Sequence, residues 1–241
     1  MQGDPDSRSA PLDALAEAHG LDEAQIAALL RYVDLLHGWR LGNVTAVRDR
    51  AAIVETLLGD SLALLNVPQL RASWLLGGET AGWLDLGAGA GIPGIPLAVA
   101  IPDADLTLLE AAVAAVGLQS RARVQCARSE RFAVGGAPGR EAFGVVLARA
   151  VAELPALLEL AAPLLREGGV LLASKTLAAL HDEGPAAEEA ARVCGLAAEP
   201  PVLLPASPLT GSVCAVYRKV APTPERFPRR EGMAAKRPLG A

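Results

Sequence analysis

Trp83-Leu84-Asp85-Leu86-Gly87-Ala88-Gly89-Ala90-Gly91-Ile92-Pro93-Gly94-Ile95-Pro96-Leu97-Ala98-Val99-Ala100-Ile101-Pro102 carries its signals in the order strand, glycine turn, helix. Leu84 to Leu86 is a short apolar run around one acid, the pattern of a buried parallel strand. Gly87, Gly89 and Gly91 let the backbone turn tightly and lie close against a ligand, because no side chain stands in the way. A helix starting near Pro93 would aim its free N–H groups at that ligand. The stretch is therefore either a plain strand-to-helix connector or a nucleotide or nucleoside site.

The spacing Gly89, Gly91, Gly94 also satisfies Gly-x-Gly-x-x-Gly, which on its own is weak evidence for a dinucleotide. Asp85 stands just before the first glycine, and Glu110 ends a second strand-like run, Leu106 to Leu109. Two carboxylates at neighbouring strand ends suit a ligand with an ammonium and a ribose diol better than one with a pyrophosphate. S-adenosyl-L-methionine is such a ligand.

From Gly82 onward, strands and helices alternate, which predicts an α/β fold with a mostly parallel sheet covered on both faces. The expected strands are Leu84–Leu86, Leu106–Glu110, Ala122–Cys126, Gly144–Leu147 and Val170–Ser174, followed by an antiparallel terminal hairpin, Pro201–Leu204 and Val213–Tyr217. Helices are expected over Ile95–Ala100, over Leu154–Leu165 with a stop at Gly168-Gly169, and between Leu177 and Ala198, where Gly184-Pro185 must break or start the helix. Ligands in such sheets sit at the carboxyl ends of the strands. Asp85, Glu110, Arg149 and Lys175 all fall there.

The chain before this region reads as helices Leu12–His19, Asp22–Arg40 and roughly Ala51–Leu65, preceded by a polar stretch expected to be disordered. Ile26, Leu29, Leu30, Val33, Leu36 and Trp39 form one apolar face. Gly42 to Asp49 is a polar break in which Asn43 and Thr45 read either as plain turn and cap residues or as functional ones. Asp60 and Ser61 interrupt an apolar helix, so they either face solvent or join a buried polar network.

With 51% hydrophobic but only 3% aromatic residues, the core must be built from Leu, Ala and Val. Cys126, Cys194 and Cys214 are unclustered, so neither a disulfide framework nor a metal site is expected. No signal peptide or membrane span is visible, and a soluble, cytoplasmic protein is expected. The net charge of −5 conceals an uneven distribution. From Lys219 to Ala241 there are six basic residues (Lys219, Arg226, Arg229, Arg230, Lys236, Arg237) and two acids (Glu225, Glu231), a +4 tail that leaves −9 on the remainder. Such a tail is either a solvated terminus or a phosphate-binding one.

Asp85 to Leu97, with its Pro-Gly-Ile-Pro continuation, resembles the S-adenosylmethionine motif of the bacterial small-subunit (16S) rRNA guanine-N7 methyltransferases, once called glucose-inhibited division protein B. Four further matches lie in order: Asn43-Val44-Thr45 with Arg48-Asp49, Asp60-Ser61-Leu62, Ala148-Arg149-Ala150-Val151, and the tail Thr223 to Gly232. The resemblance implies a Rossmann-like methyltransferase domain over 82–218, preceded by a disordered segment 1–11 and a small helical subdomain 12–81, and followed by the basic tail 219–241. It also implies that Gly87 and Ile92 contact the cofactor's methionine moiety, Glu110 and Ala111 its ribose, and Ser129 and Glu130 its adenine, with Arg149 lining the site. Arg226, Arg229 and Arg230 would face 16S rRNA or the small ribosomal subunit, and the protein would act as a monomer.

Two departures stand out. Leu57 occupies the position of a family His. Only Ala111 to Ser120 separate Glu110 from the next strand, barely enough for a crossover, and no Lys or Arg occurs there; the preferred reading is that the sequence lacks a stretch at this point rather than that the helix is very short.

Guanine N7 has an in-plane lone pair and no proton, so catalysis would be mostly positioning. Consistently, no Ser-His-Asp set or Cys-His pair is present, Glu199-Pro200-Pro201-Val202 does not fit an amino-methylation motif, and no Pro-Cys nucleophile occurs. Arg149 and Lys175 are expected to flank the guanine as the catalytic pair, with Asn43, Thr45 and Arg48 closing the site on the RNA side. A cofactor-binding RNA-binding protein without catalysis and an NAD-type oxidoreductase are the alternatives.

Overall fold

The computed structural model describes residues 10–40, 45–75, 82–111, 122–204 and 211–240, and for residues 74, 75, 110 and 111 the backbone alone. Seven strands pair into one sheet: β1 (Trp83–Gly89), β2 (Leu106–Ala111), β3 (Ala122–Gln125), β4 (Phe143–Arg149), β5 (Leu165–Thr176), β6 (Leu196–Leu203) and β7 (Ser212–Lys219). Their order is β3-β2-β1-β4-β5-β7-β6. Strands β1 to β5 are mutually parallel, and β7 enters antiparallel between β5 and β6. The expected hairpin is present, with β6 as the outer strand.

The central strands are apolar on both faces because both are covered. Leu84, Leu86, Val146, Ala148, Leu171 and Ala173 point into a cluster shared with α8 (Leu154–Ala161) and α9 (Leu177–Cys194). Leu108, Val145, Leu147 and Leu172 point the other way, into a second cluster. That cluster holds α6 (Gly94–Ala100) together with the N-terminal helices α1 (Ala10–His19) and α2 (Glu23–Gly38) and the helical run Arg50–Asn66. The N-terminal helices thus complete one face of the sheet instead of packing on a core of their own.

Helix α2 is tied to this layer at its start. Asp22 and Gln25 form a reciprocal capping box, and Gln25 Nε2 also donates to the carbonyls of Val99 and Ala100, each at 3.1 Å, satisfying the C-terminal end of α6. The run Arg50–Asn66 is one continuous helical rod of mixed pitch: α3 (Arg50–Ala52), a π-helical segment Ile53–Leu58, α4 (Gly59–Ala63) and a 3-10 turn Leu64–Asn66, with α5 (Pro68–Leu75) following it. The wider π turn presents Asp60 and Ser61 inward. Both are buried, and Ser61 Oγ donates to the Leu57 carbonyl at 2.6 Å. Of the two readings of this pair, the buried network is the one observed.

Two expectations are corrected. Helix α8 ends at Ala161, and Gly168-Gly169 lie inside β5, not at a helix stop. A side chain at Gly169 would meet three backbone carbonyls within 3.1 Å, so glycine there serves close packing of the β4–β5 connection. Helix α9 runs through Gly184-Pro185 without a break and ends at Gly195, whose φ of +78° makes a left-handed cap. Pro185 lies on the exposed side, where water can satisfy the carbonyl that its missing N–H leaves open. Cys194 and Cys214 are buried, with thiols pushed up to about 12 by burial, whereas Cys126 is exposed. Residues 112–121, where the shortened crossover was inferred, lie outside the described residues.

Candidate cofactor and substrate site

The glycine turn sits at the carboxyl end of β1, in the centre of the sheet. Gly87, Gly89 and Gly91 have φ of +67°, +51° and +91°, a conformation other residues adopt only with strain. Space is equally restrictive, since a Cβ on Gly87 would lie 3.0 Å from Val151 in the loop after β4. The turn is held from below by Asp85 and from the side by Tyr32 on α2, which donates its hydroxyl to the Ala90 carbonyl at 2.8 Å.

Asp85 lies beneath the turn, on the α6 side of the sheet, and does not project from the strand end. Its register places it between Leu108 and Leu147, on the face covered by α6, and its carboxylate is completely buried. Oδ2 accepts the Gly94 N–H at 2.8 Å, so that N–H of α6 is committed to Asp85. Oδ1 has no partner among the described residues. Burial pushes the Asp85 carboxyl up to about 7, against the opposing pull of the Gly94 N–H and of Arg149. Tyr32 is pushed well above its usual value by burial and by Asp85, and so remains a neutral donor.

This buried acid gives a signed prediction. Between about pH 4 and pH 7 the folded protein keeps a proton that the unfolded chain has released, so Asp85 makes stability fall as pH rises, by about 1.4 kcal/mol per unit, with the loss complete above the folded pKa. In Asp85→Asn that contribution is absent. Urea midpoints from pH 4.5 to 8 should converge with the wild type at the acid end and favour the variant at the alkaline end; parallel profiles would show that Asp85 does not titrate in this window.

Two clefts lie at the carboxyl ends of the strands. The first, of about 390 Å³, is lined by Leu86, Ser129, Glu130 and Val151, with residues of the C-terminal segment opposite. Ser129 and Glu130 open the short helix α7 (Ser129–Phe132) beyond β3. The second, of about 480 Å³, lies at the ends of β4 and β5 and is lined by Thr45, Leu57, Asp60, Arg149, Ser174 and Lys175 among others. Both are of the size that small ligands occupy.

In the second cleft Arg149 ends β4 and pairs with Asp60 at 3.0 Å; Arg149 is 21% exposed and Asp60 5%. The residue after it, Ala150, has φ of +55°, a strained conformation for a residue with a Cβ, at the lip of this cleft. Thr45 Oγ1 accepts from the Val47 N–H at 3.1 Å, the local turn bond that residue type favours, and still lines the cleft. Leu57 is 4% exposed and makes that part of the wall apolar.

Lys175 is corrected. Its ammonium donates to the Ala152 carbonyl at 2.9 Å and to Glu183 at 2.7 Å, and Glu183 also accepts the Leu154 N–H that starts α8. Lys175 lines the second cleft, but its ammonium is taken up by these two acceptors, so it holds the loop after Arg149 in place instead of standing as an unengaged cation. Arg229 is corrected for the same reason, being forked onto Glu159 of α8. Arg48, Arg226 and Arg230 are exposed. Ile92 is 8% exposed and packs in the core cluster. The side chains of Glu110 and Ala111, and all of Asn43, lie outside the described residues. Tyr32 and the partner of Arg149 were missed in the sequence, although Tyr32 falls at helical spacing within the Leu29 to Leu36 stripe and so could have been found as its one polar tip.

The strand order with β7 inserted antiparallel, and a glycine turn closing β1 over a buried acid, define an S-adenosylmethionine-dependent methyltransferase of Rossmann-like fold. The profile of the rRNA small subunit methyltransferase G family (GidB) matches residues 25–199. The chain is 40% identical over 234 residues to the ribosomal RNA small subunit methyltransferase G of Chloroflexus aggregans, covering 91% of this chain and 92% of that protein. It is 36% identical over 239 residues to the protein of the same name from Deinococcus radiodurans, covering 93% and 90%. The chain belongs to this family.

Proposed function

We propose that this chain transfers a methyl group from S-adenosylmethionine to N7 of a guanine in the decoding-region loop of 16S rRNA, working as a monomer in the cytoplasm. The observation that carries the reading is the state of the second cleft. Its one lining carboxylate among the described residues, Asp60, is engaged by Arg149, so no base stands ready to remove a proton. Guanine N7 has no proton to remove. Among the described residues no helix is long and apolar enough to cross a membrane.

The residues fit the cofactor. The three left-handed glycines, with a Cβ on Gly87 excluded by Val151, leave room for the methionine end against the turn, and Ser129 and Glu130 offer a hydroxyl and a carboxylate to adenine. When bound, S-adenosylmethionine supplies an electrophilic methyl group on a sulfonium. The chain's own work is orientation and the exclusion of water. Arg149, held by Asp60, offers N–H donors to O6 of a guanine or to a phosphate, and Lys175 fixes the loop that follows it. Arg226, Arg230 and Arg48 supply exposed charge for the RNA backbone, which positions the substrate without reading its sequence. The target base must lie in a loop or leave its stack to enter the cleft.

Labelled methyl transfer tests this directly. Small subunits or their naked rRNA should take up label from S-adenosylmethionine, and large-subunit RNA should not. Equal labelling of both RNAs would refute the substrate assignment.

A further inference from the structure

The basic C-terminal segment is strapped to the fold. Phe227 is buried in the cluster shared by α8 and α9. Arg140 donates to the carbonyls of Ala133, Thr223 and Phe227 at 3.1, 2.8 and 2.8 Å. Arg229 then forks onto both oxygens of Glu159, at 2.8 and 2.5 Å, with Glu159 only 1% exposed. Charge-assisted, two-pronged contacts of this kind fix direction as well as position. Arg229 also reaches forward to the Arg237 carbonyl at 2.8 Å, which closes the segment into a loop around α10 (Met233–Lys236).

Between those two anchors the segment meets the first cleft. Gly232, with φ of +74°, turns its N–H onto Glu130 Oε1 at 3.0 Å, while Ser129 Oγ donates to Oε2 at 3.2 Å. Glu231 pairs with Arg131 on the same short helix. Glu231, Gly232, Ala234 and Ala235 consequently form the wall opposite Ser129 and Glu130. The carboxylate assigned to adenine is thus oriented from the far end of the chain.

We propose, on the assignment of this cleft to the adenosine end of S-adenosylmethionine, that the C-terminal strap is part of the cofactor site: it walls the adenine end and aims Glu130, and the Arg229–Glu159 clamp sets cofactor affinity as a positioning pair without touching the cofactor. Because the same strap exposes Arg226, Arg230, Lys236 and Arg237, it joins the cofactor cleft to the charge offered to RNA.

The test is calorimetric titration of the full chain with S-adenosylhomocysteine and with 5′-methylthioadenosine, which lacks the amino-acid end. If the wild-type chain binds neither, the cofactor assignment itself fails. If it binds them, Ala235→Trp should weaken both about tenfold at an unchanged melting temperature, since Ala235 is an exposed residue on the cleft wall. Arg229→Lys, which cannot make the fork, should weaken both by a similar factor. The loss must be the same for the two probes, because both carry adenosine. Wild-type affinity for both probes in both variants would overturn the proposal while leaving the cofactor assignment intact.

Discussion

Arg149→Ala will lower methyl transfer to rRNA by about a hundredfold or more, the size of effect expected when the group that orients a reacting base is removed, and it will also destabilise the chain. The two losses have separate causes. Arg149 neutralises Asp60, which is 5% exposed, and deleting one partner of such a pair strands a buried charge at a cost of about 3 kcal/mol. Asp60→Asn combined with Arg149→Ala removes the stranded charge. The double variant should therefore regain most of the urea stability lost by Arg149→Ala and none of its activity. Recovery of activity together with stability would mean that Arg149 is only structural. Unchanged activity in Arg149→Ala would remove it from the site.

Gly94→Ala should cost about 1–3 kcal/mol, as overpacking of a rigid site does, and should abolish measurable binding of S-adenosylhomocysteine. An added Cβ would lie 2.7 Å from Asp85 Oδ2, 3.0 Å from Asp85 Cβ and 3.1 Å from Leu108 Cδ2. Asp85 and Leu108 are both completely buried, so neither can give way. The same movement would disturb the Gly94 N–H bond to Asp85, which anchors the turn to α6. Gly38→Ala is the matched control: a Cβ there meets nothing within 4 Å, it is the last residue of α2, and it should raise stability by about 0.5–1 kcal/mol. Thermal unfolding and calorimetry on the two variants check both signs. A Gly94→Ala chain that binds as the wild type does would show that the turn tolerates displacement and is not the cofactor's cradle.

The parts of this site that could be read from sequence are those whose function is local. The glycines at 87, 89 and 91 declare themselves because a tight turn after a strand requires them, and the strands around them alternate with helices plainly enough to give the sheet. Arg149 and Lys175 fall at strand ends by simple counting. Pairing across the chain is what the sequence concealed. Lys175 and Arg229 read as free cations, and only the packing of α9 and α8 brings Glu183 and Glu159 to them. Asp85 read as a ligand contact because its strand-end position was visible, whereas the α6 N–H that claims it was not. Gly168-Gly169 read as a helix stop, since a glycine needed for close backbone packing and one needed for a cap look the same in one dimension. Asp60 was recognisable as anomalous in an apolar helix, and the π-helical turn explains how it comes to point inward at Arg149.

The central claim is that the methyl group goes to guanine N7, and the chemistry of the product tests it most directly. Methylation at N7 gives the ring a positive charge, and borohydride reduction followed by aniline then cleaves the RNA chain at that nucleotide. Small-subunit rRNA treated with the enzyme and S-adenosylmethionine should show one new scission, at a guanine in the decoding region, which is absent when Arg149→Ala replaces the wild type. Incorporation of the methyl label without scission would place the methyl on another atom and contradict the account.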